Sequence, residues 1–341
     1  MNQALFAAPA LAMLLSAAVI GLLRRTAPAL PADVPNSRSL HGTPVPRAGG
    51  YAVWAGFLPA ALAFPPAFPG GLPGWLPGFA AVAIVSAWDD VHEVRVAPRL
   101  FVHAGAAVWA AAWLALSWPL PGDGALARAL VALVATLAIA WSSNLYNFMD
   151  GSDGLAASMG TIGFAAFGIA HAVDADGARA SSAPACLALA AAIVPFLAVN
   201  RPRASMFLGD VGAVPIGFLA AAFGLSGVLT ALWPWWFPLL VFLPFVADAT
   251  ITLGRRALRG ERLAEAHRDH YYQRLNRMGA GHAGTLAAYA ASMAATAGVA
   301  IYCLARAPVT GPGALVVACV VCFILFGAID YRWRRRTEAS Q

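Results

Sequence analysis

The chain contains no lysine; all 22 of its basic residues are arginine. Charged residues make up 11% of its 341 positions, where soluble domains carry about a quarter. A chain this poor in charge cannot coat a water-soluble globule, and no segment of it reads as a soluble domain. Cysteine is scarce as well. Cys186, Cys303, Cys319 and Cys322 all lie inside apolar runs. The Cys319-x-x-Cys322 spacing has no further Cys or His to complete a zinc or redox site, so the four are read as packing residues. No internal repeat of useful length occurs, which argues against a transporter built from two inverted halves. The arginines do not gather on one face of a soluble domain, which argues against nucleic acid as a partner.

What the chain has instead is apolar length. Hydrophobic residues make up 60% of it, and its mean hydropathy is +0.69. A bilayer core of about 30 Å, at about 1.5 Å per helical residue, needs about 20 apolar residues per crossing. Candidate runs fall at 4–23, 48–66, 72–88, 99–119, 125–143, 155–173, 183–199, 211–231, 235–253, 285–305 and 312–330. The first lacks a convincing cleavage site and reads as a retained helix rather than a signal peptide. The expected fold is an all-α integral membrane protein, a polytopic bundle of about 11 transmembrane helices. It forms a single transmembrane catalytic domain over 1–341.

Arginine orients the bundle. Nineteen arginines fall in one set of gaps and the tail, and three (Arg128, Arg179 and Arg306) in the opposite set. The bias predicts a periplasmic N-terminus and a cytoplasmic C-terminus. Cytoplasmic loops are then expected at about 24–47, 89–98, 144–154, 200–210 and 254–284, with a tail at 331–341. The Trp233, Trp235 and Trp236 cluster falls on the outer side, where an interfacial aromatic belt is expected.

The chemistry-bearing residues gather at the cytoplasmic mouth. The first loop carries Asp33, Asn36, Arg38, His41 and Arg47 among prolines, then Gly49 and Gly50. Arg38, His41 and Arg47 can face an anion, or simply belong to a positive-inside loop. Asp89 and Asp90 end the third run. Adjacent carboxylates repel, and such a pair suits a divalent cation or a proton unless it is a solvated helix end. Asn144, Asn147, Asp150, Gly151, Asp153 and Gly154 follow within eleven residues. Oxygen ligands of this kind suit Mg²⁺, which keeps waters or substrate phosphates in its shell. Asp210 stands in the glycine turn Phe207-Leu-Gly209-Asp210-Val-Gly212 as a candidate metal ligand. Asp248, near the cytoplasmic end of the ninth run, is expected to face the bundle interior and to pair with Arg255 or Arg256. The last loop reads His267-Arg268-Asp269-His270-Tyr271-Tyr272-Gln273-Arg274. On a helix, His267, His270 and Arg274 share a face that can bind phosphate or nucleotide, or can rest on anionic lipid. Together these groups fit Mg²⁺-assisted phosphoryl transfer from a soluble anionic donor to a membrane-bound acceptor.

Their order and wording resemble the polyprenyl-phosphate N-acetylhexosamine-1-phosphate transferases, from about Asp33 to Gly279. That superfamily includes the enzymes that start O-antigen and teichoic-acid synthesis and phospho-N-acetylmuramoyl-pentapeptide transferase. The resemblance implies a UDP-N-acetylamino sugar as donor and undecaprenyl phosphate as acceptor, at the bacterial inner membrane. The implied products are undecaprenyl-diphospho-sugar and UMP. It implies Mg²⁺, or Mn²⁺ in its place, at Asn147 and Asp210, and catalytic roles for Asp89, Asp90 and Asp210. Asn144, Asp150, Asp153, Phe207, His267, Arg268 and His270 would bind the nucleotide sugar, and Arg38, His41 and Arg47 the lipid phosphate. Ser39, where many members carry Lys, and the Tyr and Gln of the last loop, where many carry His, resemble the O-antigen or capsule-initiating branch. Some members of that branch use 6-deoxy sugars. The oligomeric state is left open, a homodimer included. A CDP-alcohol phosphotransferase is the nearest competing enzyme, but Asp153-Gly-Leu-Ala-Ala-Ser158 lacks the Arg of that motif. A non-enzymatic transporter would need polar groups near the bilayer midplane, where the runs carry almost none.

Overall fold

The computed structural model describes residues 2–26, 30–33, 35, 43–92, 94–116, 124–173, 182–262 and 267–338. Arg38 and His41 therefore lie outside the described residues.

The chain is a polytopic helical membrane protein. Its helices are α1 (Asn2–Arg25), α2 (Gly49–Ala63), α3 (Gly71–His92), α4 (Val96–Leu116), α5 (Ala125–Phe148), α6 (Leu155–Val173) and α7 (Ala183–Asn200). Then come α8 (Asp210–Leu229), α9 (Trp236–Val241), α10 (Leu243–Leu258), α11 (Tyr271–Leu275), α12 (Gly281–Arg306) and α13 (Gly311–Glu338). Each apolar run contains helix among the described residues. Among the described residues, eight helical segments are long and apolar enough to cross a membrane, and the second and sixth runs make shorter apolar helices. The ninth run is broken in two between α9 and α10. Pro244, just past the break, has no N–H for the Leu240 carbonyl and crowds the turn before it.

Helices overrun the apolar segments at the cytoplasmic ends. α3 continues through Asp89 and Asp90 to His92, so the expected 89–98 loop shrinks to a few residues. α5 continues to Phe148, which puts Asn144 and Asn147 on its last turns rather than in a loop. Hydropathy marks where lipid ends, whereas a helix ends where its terminal backbone groups find other partners.

α8 is the buried axis of the bundle, packed by α3, α5 and α2. Small residues permit this. At Gly217 a Cβ would lie 2.4 Å from the Ser142 carbonyl oxygen of α5. The Ser142 hydroxyl in turn donates to the Gly217 carbonyl at 2.8 Å. A short antiparallel ladder pairs β1 (Ala32–Asp33) with β2 (Val45–Pro46). β2 leads into a bridge between Arg47 and Phe207. Gly49 and Gly50 donate to the Phe207 and Leu208 carbonyls, both at 2.9 Å. The first loop is thereby stitched to the turn that opens α8.

Two expectations change. Trp233 and Trp236 are buried, and only Trp235 of that cluster is exposed. Trp233 stacks on Phe167 at 4.8 Å and donates to the Gly224 carbonyl at 2.9 Å, so it is core rather than belt. Of the cysteines, Cys186, Cys303 and Cys322 are buried, while Cys319 faces outward.

Candidate active site

Asp210 is the first residue of α8. The residue before it, Gly209, has φ +76 and ψ 164, a region essentially restricted to glycine. The turn aims the first amides of α8 at α3. There Asp90 accepts the N–H of Asp210 at 3.0 Å and that of Val211 at 2.9 Å, one on each carboxylate oxygen. Asp90 thus caps a helix that is not its own, where the helix dipole favours negative charge.

Asp89 turns the other way. It accepts the Val94 N–H at 2.7 Å and forms an ion pair with Arg99 of α4. The same guanidinium nitrogen of Arg99 donates to Asp210 Oδ2 at 3.1 Å, and Asn147 Nδ2 donates to that oxygen at 3.3 Å. Helices α3, α4, α5 and α8 therefore converge on one carboxylate.

Asp150 lies in the turn after α5. Burial first, and then the charges of Asp210 and Asp90, push its carboxyl well above the usual carboxylate range. Arg47 opposes this shift and also bears on Asp90, which places it beside the cluster. Its guanidinium is held by Asp33 at 2.7 Å. Carboxylates outnumber the guanidinium groups here. This is the setting in which a bound divalent cation restores charge balance.

Asp153 has a different part. It accepts the Ala204 N–H at 3.1 Å and lies 3.3 Å from His282 Nδ1. His282 also accepts the Asp153 N–H at 3.1 Å. Asn200 accepts the Gly154 N–H and donates to the Met206 carbonyl, both at 2.9 Å. These bonds lock the 150–154 turn to the loop before α8. Asn144 spends its amide N–H on the Ala140 carbonyl of its own helix at 2.7 Å. Phe207 is fixed through its backbone, its N–H donating to the Pro46 carbonyl at 2.8 Å.

The last loop departs from expectation. His267, Arg268 and Asp269 are not helical; α11 begins at Tyr271, so His267 and His270 do not share a helical face with Arg274. His270 is the N-cap of α11 and is buried at 2% exposure. Its ring stacks near Phe148 and His267, with centroids 6.0 and 4.9 Å away. Asp248 is fully buried and contacts neither Arg255 nor Arg256. It accepts the N–H groups of Tyr271 and Tyr272 at 2.9 and 3.0 Å, and the Tyr289 hydroxyl at 2.5 Å. His270 Nδ1 lies 3.2 Å from it. The reason is electrostatic: the unpaired amides opening α11 compete better for a buried carboxylate than long arginines that can reach other acids. Arg255 instead pairs with Asp330 of α13, and Arg256 with Asp269 at 2.7 Å. The Tyr272 hydroxyl donates to the Phe148 carbonyl at 3.0 Å, which docks α11 on the end of α5. The His267 side chain is largely buried, at 9% exposure. Burial first, then His270 and Arg256, lower its pKa to about 4, so it is neutral at pH 7.

The cluster gathers at one end of a membrane bundle in the motif order of the sequence, and comparison with known proteins agrees. The model of glycosyl transferase family 4 matches residues 72–228, which span Asp89, Asp90, the Asn144–Asp153 segment and Asp210. A decaprenyl-phosphate N-acetylglucosaminephosphotransferase of Mycobacterium leprae is 28% identical over 283 residues, covering 73% of this chain and 70% of the relative. The undecaprenyl-phosphate alpha-N-acetylglucosaminyl 1-phosphate transferase of Yersinia pestis is 29% identical over 323 residues, covering 89% and 85%. Over residues 72–228 the chain is similar to glycosyl transferase family 4. A phospho-N-acetylmuramoyl-pentapeptide-transferase of Enterococcus hirae is 33% identical, but over 132 residues, covering 38% of this chain and 39% of the relative.

The structure adds three residues that carry no motif in the sequence. Arg99 was counted only toward orientation, although it is an arginine ten residues after an acidic pair. Asn200 and His282 carry no local signal, because their partners in the 150–154 turn lie more than 40 residues away in sequence.

Proposed function

We propose that this chain transfers an N-acetylamino-sugar 1-phosphate from a UDP-sugar to undecaprenyl phosphate, releasing UMP. The observation that carries the reading is the Asp210 carboxylate, shared by Arg99 and Asn147 on a helix that Asp90 caps, at the end of a lipid-embedded bundle. The names of the relatives support the acceptor class and the transferred group. The longer match to the Yersinia pestis N-acetylglucosaminyl 1-phosphate transferase than to the muramoyl-pentapeptide enzyme supports a reading outside the muramoyl-pentapeptide branch, and the departures at Ser39 and in the last loop carry the O-antigen or capsule-initiating proposal. The apolar runs support about eleven crossings, and the arginine bias supports a site on the cytoplasmic side of the bacterial inner membrane.

Mg²⁺ fits the donor set. Among the described residues no three His, Cys, Asp or Glu side chains form a metal cluster. Mg²⁺ does not need one, since one or two carboxylates plus substrate phosphates and waters satisfy it. Asp210 and Asn147 would hold it, and when bound it supplies charge neutralisation on the donor diphosphate. Arg99 keeps Asp210 aimed. Arg47 adds positive charge where the lipid phosphate is to arrive.

The acceptor phosphate attacks the sugar-bearing phosphorus in line. The new phosphorus–oxygen bond joins lipid and sugar phosphate, and the bond to the α-phosphate breaks with UMP as leaving group. A phosphomonoester with a second pKa near 6 is already a dianion at pH 7. No strong base is required, which suits Asp90, whose oxygens both accept backbone amides. UMP release from membranes given polyprenyl phosphate and a panel of UDP-sugars, 6-deoxy sugars included, tests the reading; silence across the panel rejects it. A phosphorylated aspartate trapped with donor in the absence of lipid rejects direct attack.

A further inference from the structure

The seam between α3 and α4 holds a group of orphaned polar atoms directly behind the site. Ser86 is fully buried on α3, and His103 is buried at 3% exposure on α4. Ser86 Oγ, both ring nitrogens of His103 and Arg99 Nε have no hydrogen-bond partner among the described residues. Helical spacing brings them together. Asp89 of α3 pairs with Arg99 of α4, and the two helices run antiparallel. One turn deeper, Ser86 lies three residues before Asp89 and His103 four residues after Arg99, so both fall on the same seam.

Four buried polar atoms left without partners would be costly. Together they offer a hydroxyl, a guanidinium N–H, and one donor and one acceptor on a neutral imidazole. A buried water typically makes about three hydrogen bonds to groups of this kind. Ser86 and His103 are both closed to solvent, which suits a small neutral guest such as water.

We infer that Ser86, His103 and Arg99 Nε enclose a binding site for ordered water, and that His103 is a positioning residue for the transfer reaction. Through that water, His103 fixes the plane of the Arg99 guanidinium. Arg99 then holds Asp89 and Asp210 in register across three helices. The catalytic part of this inference rests on the function proposed above; the water site does not.

The test compares His103→Leu, His103→Gln and Arg99→Lys in the full chain in detergent. Leucine keeps the volume without hydrogen bonds; glutamine keeps a donor and an acceptor. His103→Leu is expected to lower kcat about tenfold or more with little change in donor KM, in a variant that still unfolds cooperatively. His103→Gln should stay within about threefold of the parent. Lysine has no Nε–H at the guanidinium position, so adding His103→Leu to Arg99→Lys should cost less than about twofold further. Parent-like kcat in His103→Leu, equal loss in the Leu and Gln variants, or additive losses in the double variant would each overturn the positioning role. If the parent itself releases no UMP, the transferase reading falls. The water site is then judged from structure: ordered density within hydrogen-bonding reach of Ser86 Oγ, Arg99 Nε and the His103 ring supports it, and an apolar, dry seam at high resolution refutes it.

Discussion

The carboxylate of Asp90, on α3, accepts the backbone N–H of Asp210, on α8, at 3.0 Å. One acidic residue therefore sets the position of another, not by charge attraction but by holding the first turn of its helix. This relation gives the adjacent pair Asp89 and Asp90 separate duties. Asp90 fixes the backbone of Asp210, and Asp89 fixes the arginine that steadies its side chain.

Asp90→Ala is expected to lower stability by about 0.5–2 kcal/mol, the usual worth of a helix cap, and to abolish transfer because Asp210 loses its seat. Thermal unfolding in detergent and UMP release read the two effects separately. An unchanged melting temperature would reject the capping role.

Gly209→Ala should be costly for two reasons. Its backbone conformation is one that L side chains avoid, at about 1–3 kcal/mol. An added Cβ would also lie 2.7 Å from the Asp90 oxygen that caps α8. A variant with parent-like stability and activity would show that the turn has other ways to form.

Asp248 is expected to be structural. Asp248→Ala leaves His270, Tyr289 and two amides without their shared acceptor and should destabilise by about 3–5 kcal/mol. Tyr289→Phe removes one charge-assisted bond and should cost about 1.5–3 kcal/mol. Denaturation midpoints check the order; a larger loss in Tyr289→Phe would contradict it.

His267 carries a pH signature. Its pKa in the fold is about 4, below the 6.5 of an unfolded chain, so the unfolded state binds its proton first. Its contribution to stability is fully present above pH 6.5 and is lost as pH falls toward about 4. Melting temperatures of His267→Gln should decline less steeply over that window than those of the parent. Parallel profiles would contradict the assignment.

Much of the site was legible because each motif is short and local. Asp89 and Asp90, Asn147, and Asp210 with its glycines stand out against apolar runs. What could not be read were contacts across the bundle. Nothing around Asp248 in sequence announces that its partners are the amides of Tyr271 and Tyr272, because a cap supplied by another helix leaves no local pattern. His267 and His270 share a helical face only if the helix reaches back to 267, and the Asp248 cap sets its start at Tyr271. The tryptophans at 233 and 236 read as interfacial because composition does not report that a buried indole N–H has found a carbonyl.

The central claim is that the Asp210 carboxylate is the pivot of a metal-assisted transfer. The decisive measurement is the Mg²⁺ dependence of UMP release from donor and polyprenyl phosphate, for the parent and for Asp210→Asn, beside their melting temperatures. The account predicts metal-dependent release in the parent and a loss of at least about a hundredfold in the variant, whose fold is retained. Full activity in Asp210→Asn with the parent's Mg²⁺ dependence would contradict it.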